Sequence, residues 1–368
     1  MERLIFDESI NNICIYAKWL LILLNLYLFC KNKDSSGTGY FLLWLYVIVF
    51  CIFYIPKEGD VVGYFSLYKS HDKYGHLEPF YLWTINFIDQ GFFVWRSFVW
   101  GSAMLFLILT FKLCKCSASV AAFSFLSFSL VQNFYYLRNS LAFAVLFFAA
   151  SLIMYIENSA LVSLRRYKYF AFILLFSTYF LHRSMPLYIL LSLIALAFPL
   201  SKRNVYLACL FFPLGVYLFE TISSLFLNSS IWMQDETVKN AMNSVVANGQ
   251  AWNSRSFFGQ LGLFITYLPS LYVFLYSPSL IEGDKTIEGR FMNYFLSVSF
   301  YVALISFVYL FKGASDIQIR FWQSSLLPFS FFVSIFLKKH LDTSIARHFL
   351  YLVFLSWSFY FVSFITTV

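Results

Sequence analysis

Charge is scarce in this chain. Only 12% of its 368 residues are Asp, Glu, Lys or Arg, about half the share of an ordinary soluble domain. With 60% of residues hydrophobic and 23% aromatic, a soluble fold of this length has too little polar surface to cover itself. The bilayer is the solvent that suits such a composition, because lipid accepts apolar side chains while forcing the backbone to satisfy its own hydrogen bonds. A basic stripe is also missing. The net charge is +8, but the basic residues are scattered through short segments between apolar runs, so nucleic acid is not an expected partner. The opening Met1-Glu2-Arg3-Leu4-Ile5-Phe6-Asp7-Glu8 has no basic n-region, so the first apolar run is expected to stay in the membrane. No phosphate-binding glycine loop, dinucleotide fingerprint or HExxH pattern occurs, and no internal repeat is visible. The six cysteines lie in or beside apolar runs. Cys114-Lys115-Cys116 has no further ligands near it, and a metal site needs about four, so these thiols read as apolar filling.

What is present is a series of apolar runs at 13–30, 38–56, 92–111, 118–136, 139–156, 169–181, 186–200, 205–224, 257–278, 291–311, 321–337 and 347–366. They predict an all-α polytopic membrane protein, one transmembrane domain over 1–368 with about 12 spans. The runs 169–181 and 186–200 are short and suit half-helices packed on protein. Taking every second loop collects Lys31, Lys33, Lys112, Lys115, Arg165, Arg166, Lys168, Lys202, Arg203, Lys285, Arg290, Lys338, Lys339 and Arg347. These are 14 of the 26 basic residues, all in short loops, so this set is expected on the cytoplasmic side. Both termini then face outward, as do 57–91, 132–139, the break at 181–185, 225–256 and 312–320. The two long outward segments, 57–91 and 225–256, are where chemistry is expected, because connections of that length are usually functional.

Several outward residues are candidates. Arg138, at the start of a helix after Gln132-Asn133-Phe134-Tyr135-Tyr136-Leu137, runs against the positive-inside trend, and a guanidinium there can chelate two phosphate oxygens. His182-Arg183-Ser184 interrupts an apolar stretch, and a histidine there can move a proton or bind a phosphate. Asp60 opens the first long outward segment and Glu78 follows in Glu78-Pro79-Phe80-Tyr81; either carboxylate can orient a sugar hydroxyl, and Asp60 can equally cap a helix. Arg255 and Arg320 complete a set of outward arginines that an anionic lipid headgroup would relieve of mutual repulsion.

On these residues the sequence resembles the EpsG-like/Wzy-type polysaccharide polymerases of bacterial surface-polymer clusters. Asp60 with Tyr64 and Glu78-Pro79-Phe80 looks like that family's first outward loop. Leu137-Arg138-Asn139-Ser140-Leu141-Ala142 looks like its Arg-Gln-x-hydrophobic-Ala helix start, with Asn139 where Gln is usual. Phe180-Leu181-His182-Arg183-Ser184 looks like its His-x-Ser segment, followed here by Met185-Pro186. The likeness covers roughly residues 40–200. It implies a glycosyltransferase-C-like bundle that joins O-antigen, capsule or exopolysaccharide repeat units carried on undecaprenyl pyrophosphate, at the outer face of the bacterial cytoplasmic membrane. No cofactor and no metal are implied, and the partners are the lipid-linked oligosaccharide, the bilayer, and flippase and chain-length regulator proteins. Arg138 would bind the donor pyrophosphate with Arg320 as a second candidate. His182 would be base or acceptor-orienting residue, Asp60 and Glu78 would hold acceptor hydroxyls, and Tyr64, Arg183, Ser184 and Arg255 would line the substrate. Two other readings compete: a transferase using a polyprenyl-phosphate sugar, with Glu58-Gly59-Asp60 as a metal-binding acidic pair, and a flippase for lipid-linked oligosaccharide that does no chemistry.

Overall fold

The structure, a computed structural model, describes residues 7–31, 36–54, 60–69, 78–88, 90–128, 137–158, 165–228, 257–311 and 315–367. These residues are helical throughout, with no strand among them. The helices are α1 (Glu8–Cys30), α2 (Ser36–Phe53), α3 (Asp60–Lys69), α4 (Pro79–Phe87), α5 (Phe92–Leu113), α6 (Ala118–Phe128), α7 (Leu137–Asn158), α8 (Tyr167–Leu181), α9 (Met185–Ala197), α10 (Lys202–Asn228), α11 (Phe257–Tyr276), α12 (Pro278–Ile281), α13 (Ile287–Phe311), α14 (Ser315–His340) and α15 (Ser344–Thr367). Among the described residues, four stretches are long and apolar enough to cross a membrane: Glu8–Cys30, Phe92–Leu113, Asn139–Asn158 and Ile287–Val308. The segment 57–91, expected as a long loop, carries α3 and α4. The other long segment, 225–256, lies outside the described residues beyond the end of α10 at Asn228.

Local chemistry explains the boundaries. Asp7 caps α1, its carboxylate accepting from the Ile10 N–H at 3.1 Å, the arrangement that answers one of the orphan donors of a helix start. At the end of α5 the Cys116 N–H donates to the Phe111 carbonyl and the Lys115 N–H to the Lys112 carbonyl, both at 3.0 Å. That is a Schellman ending, and Lys115 takes the left-handed position (φ 56°) usually given to glycine. Hydroxyls inside apolar helices bond back to their own backbone, as Thr110 does to Phe106 and Ser124 to Val120, both at 2.8 Å, so they cost little in an environment without water.

The chain divides into two compact units. The first comprises Met1–Ala197, Thr286–Met292 and Ser330–Lys339, the second Phe198–Lys285, Asn293–Phe329 and His340–Val368. In the first, α5 and α8 both pack on α7, and α1 and α5 pack on α2. Most of the largest wholly buried side chains among the described residues, Trp95, Trp100, Phe111, Phe123 and Phe143 included, belong to this unit. Phe331 closes on Phe111 with ring centroids 4.5 Å apart. In the second, α11 packs along α15, Tyr267 lies 4.0 Å from Trp322 between ring centroids, and Phe274 touches both Phe300 and Phe329. The turn before α10 is clamped from α13: the Leu200 N–H donates to Asn293 Oδ1 and Ser297 Oγ, each at 2.8 Å.

Candidate functional site

The first unit has two chemically different ends, and α2 and α5 define them. Their shared interface carries three hydrogen bonds in antiparallel order. Tyr40 Oη donates to the Cys116 carbonyl at 2.9 Å, Trp44 Nε1 to the Gly101 carbonyl at 3.1 Å, and Arg96 Nη2 to the Tyr54 carbonyl at 3.2 Å. From Tyr40 to Tyr54 the helix rises about 21 Å. At the Tyr40 end the basic groups gather. Lys338 Nζ donates to the Lys115 carbonyl at 2.7 Å and pairs with Glu288 at 3.2 Å. Lys339 Nζ donates to Thr286 Oγ1 at 3.1 Å, and Lys112 lies over the Tyr40 ring. Three loops assigned to one side of the membrane by their charge therefore meet in space.

The opposite end is built from α3 and α4. Tyr68 of α3 donates to the Ile88 carbonyl at 3.1 Å and accepts the Gly91 N–H at 3.0 Å. Gly91 (φ 116°) opens α5 in a conformation that a side chain would strain. Phe65 and Tyr68 pack on Phe92, and Tyr68 and Tyr81 on Trp95. Trp95 Nε1 donates to Thr84 Oγ1 at 3.1 Å. One turn into α5, Arg96 is 2% exposed. Its guanidinium takes up the Tyr54 carbonyl, left over at the end of α2, where the helix dipole is also negative.

Glu78 begins α4 and is 4% exposed. Its carbonyl accepts the Tyr81 N–H at 3.0 Å, and Pro79 fills a first-turn position that needs no N–H. Its carboxylate makes no capping hydrogen bond to the start of the helix. Tyr64, on α3, is also buried. Asp60 is the first residue of α3, and Arg138 the second of α7; the placement of both side chains lies outside the described residues, as does Arg255 altogether. Arg320 is on α14 in the second unit and is exposed.

The His182-Arg183-Ser184 break is present where the sequence placed it. α8 ends at Leu181 and α9 starts at Met185. His182 is extended (φ −160°, ψ 132°) and its N–H still reaches the Thr178 carbonyl. Its Nδ1 accepts the Ser184 N–H at 3.1 Å and lies 2.7 Å from Ser184 Oγ. A backbone N–H can only donate, so Nδ1 is the acceptor and the neutral ring carries its proton on Nε2. His182 is half-buried, while Arg183 and Ser184 are exposed. α8, which His182 ends, packs against α4, which Glu78 begins.

Two ionisable residues escaped the sequence reading. Arg96 was absorbed into the apolar run 92–111, and Lys18 into 13–30. Lys18 is 6% exposed on the buried stripe Asn11, Cys14, Lys18 and Ile22, with its ammonium over the Trp19 ring at 4.6 Å. An ionisable residue inside an apolar run is itself a functional signal, and that signal was available. Among the described residues no group of three or more His, Cys, Asp and Glu side chains could hold a metal. Family models, curated proteins and solved structures contain no match to this chain.

Proposed function

We propose that this chain is a multi-pass polysaccharide polymerase of the bacterial cytoplasmic membrane, with about a dozen helices crossing the bilayer and its chemistry at the outer face. The observation that carries the reading is the division of α2 and α5 into a lysine-rich end and an end built from Arg96, Glu78 and the aromatic packing of α3 and α4. Positive charge in short loops is characteristic of the cytoplasmic side, which supports reading the second end as the outward one.

A lipid-linked glycan meets the protein at headgroup depth: its tail stays in the bilayer and its pyrophosphate sits among cations. In the reaction, an acceptor sugar hydroxyl attacks the anomeric carbon of the donor. The C–O bond to pyrophosphate breaks, the hydroxyl proton leaves with a base, and undecaprenyl pyrophosphate departs. Negative charge grows on the leaving oxygen, so preorganised donors there lower the barrier most. Arg138, opening α7, supplies a guanidinium for that charge. The tautomer of His182 suits it to donate from Nε2 to a phosphate or sugar oxygen, with the Ser184 N–H holding the ring. Asp60 takes the proton of the acceptor hydroxyl, Glu78 binds acceptor hydroxyls, and Tyr64, Arg183 and Ser184 are assigned to substrate binding. Arg96 touches no substrate in this scheme; it is a positioning residue that ties the end of α2, and so the approach to Asp60, to α5.

Deleting the gene in its host tests this. A polymerase leaves a single repeat unit on its acceptor, seen as one band in place of the electrophoretic ladder. Complete loss of surface sugar would overturn the proposal in favour of lipid flipping. His182→Ala and Arg138→Ala should each collapse chain length while the protein still reaches the membrane; a normal ladder from either variant removes that residue from the scheme.

A further inference from the structure

The second unit contains a cavity that the polymerase reading does not use. It has a volume of about 260 Å³ and lies among α10, α11 and α13. Cys209 and Phe212 face it from α10, Leu271 and Leu275 from α11, and Ala303 and Phe307 from α13. Pro213 and Pro269 sit inside two of these helices. Each removes a backbone hydrogen bond and crowds the carbonyl four residues earlier, which keeps neighbouring helices from closing tightly on one another. Cys209 and Leu275 are exposed, so the cavity opens sideways on a surface of Tyr206, Leu210, Phe211 and Leu214 that is exposed too. For a helix bundle in a bilayer, that side is lipid.

A basic pair lies within a turn of the first lining residue of α10, Val205. Lys202 and Arg203 open α10 and are exposed. The turn is fixed by Ser201, whose Oγ accepts the Asn204 N–H at 3.2 Å. Lys202 shares a helix stripe with Val205 and Cys209, both lining residues, at spacings of three and seven. From Lys202 to Phe212 the helix rises about 15 Å, which is half the thickness of the hydrocarbon core and so the depth of one leaflet.

We propose that this cavity binds an anionic diacyl phospholipid: one acyl chain lies between α10, α11 and α13, and the phosphate sits on Lys202 and Arg203. Wall chemistry selects the chain, because an aliphatic and aromatic lining offers nothing to a polar occupant. Charge selects the headgroup, as basic groups between membrane helices do for anionic lipids. The apolar lining beyond the basic pair sets a lipid with its acyl chain apart from a free phosphate, which would use the basic pair and leave the cavity empty. The inference needs the chain to lie in a bilayer and is independent of the polymer chemistry.

Cys209 provides the probe. The exposed cysteines are Cys30 and Cys209, so the full chain carrying Cys30→Ser reports alkylation by N-ethylmaleimide at Cys209. The purified variant is titrated in mixed micelles with phosphatidylglycerol, phosphatidylcholine or inorganic phosphate. Two basic side chains worth about fivefold each give phosphatidylglycerol roughly a twenty-five-fold advantage over phosphatidylcholine in the amount that halves the alkylation rate. Inorganic phosphate should leave the rate unchanged. Adding Lys202→Ala and Arg203→Ala should bring phosphatidylglycerol to the phosphatidylcholine value. Equal protection by the two lipids, absence of protection by either, or protection by phosphate alone would each overturn the proposal, and the lipid comparison needs no variant beyond Cys30→Ser.

Discussion

Arg96→Met tests whether the buried guanidinium positions the outward segment or merely fills space. Arg96 is 2% exposed and donates from Nη2 to the Tyr54 carbonyl at 3.2 Å. A hydrogen bond from a charged donor contributes about 1.5–3 kcal/mol. Against that stands the cost of burying the guanidinium, several kcal/mol for an ion taken out of water. Methionine removes both terms and keeps a long flexible body that can fill the space beside Cys51 and Tyr54. Because the substitution also leaves the Tyr54 carbonyl without its donor, at a cost of about 1–3 kcal/mol, the net change in stability is expected within about 3 kcal/mol of neutral. Function should fall. Without its donor the Tyr54 carbonyl is released, and the chain leading to Asp60 loses an anchor worth about 1.5–3 kcal/mol, equivalent to roughly ten- to a hundredfold in rate if that anchor sets the reacting geometry. The assays are a thermal unfolding curve of the purified protein in detergent and the ladder of surface polymer in a complemented deletion strain. Arg96→Lys, which keeps a charge but not the planar fork, should fall between Met and the parent in chain length. A full-length ladder from Arg96→Met would refute the positioning role. A stability loss above about 3 kcal/mol, with protein missing from the membrane, would refute the energy comparison.

A Cβ on Gly39 would stand 2.7 Å from the Ala118 Cβ, so Gly39→Ala should destabilise the protein by about 1–3 kcal/mol, and Ala118→Gly should restore at least half of that in a double-mutant cycle read by thermal unfolding. Ser184→Ala removes the hydroxyl 2.7 Å from His182 Nδ1 but keeps the N–H that holds the ring, so chain length should shorten less than in His182→Ala, by about tenfold or less in rate; equal collapse of the two variants would give Ser184 a role of its own. Burial pushes the Cys114 thiol well above its ordinary range, with Cys116 beside it adding to the rise, and burial also raises Cys116 against the pull of Lys338. Because the thiolate is the reactive form, both should resist N-ethylmaleimide at about pH 8 and still at about pH 9, while Cys30 and Cys209 are modified, as mass spectrometry of the labelled protein will read.

Much of the first unit was legible because apolar runs and polar punctuation report directly on helix ends. The break at His182-Arg183-Ser184 has the residues the sequence assigned to it, since Pro186 suits a first turn and the polar triplet interrupts two apolar runs. The helices within the stretch 57–91 leave little trace in the sequence for a physical reason: α3 and α4 are only 10 and 9 residues long, too short for a membrane-span pattern, and they are held by contacts with α5 that no local signal encodes. Tyr68 bridging Ile88 to Gly91 is one of these, and Trp95 on Thr84 another. Arg96 was hidden by averaging, because one cation among Phe, Val and Trp barely lowers the hydropathy of a window. Its importance appears only when the end of α2 is seen to supply a carbonyl. Such a pairing lies 42 residues apart in the chain and depends on the antiparallel order of two helices. That order also ties the charge pattern to geometry: the loops rich in lysine converge at Cys116, and Arg96 belongs to the far end. Arg96 stands apart from the lysines around Cys116, and the Tyr54 carbonyl at the end of α2 gives its guanidinium a partner there.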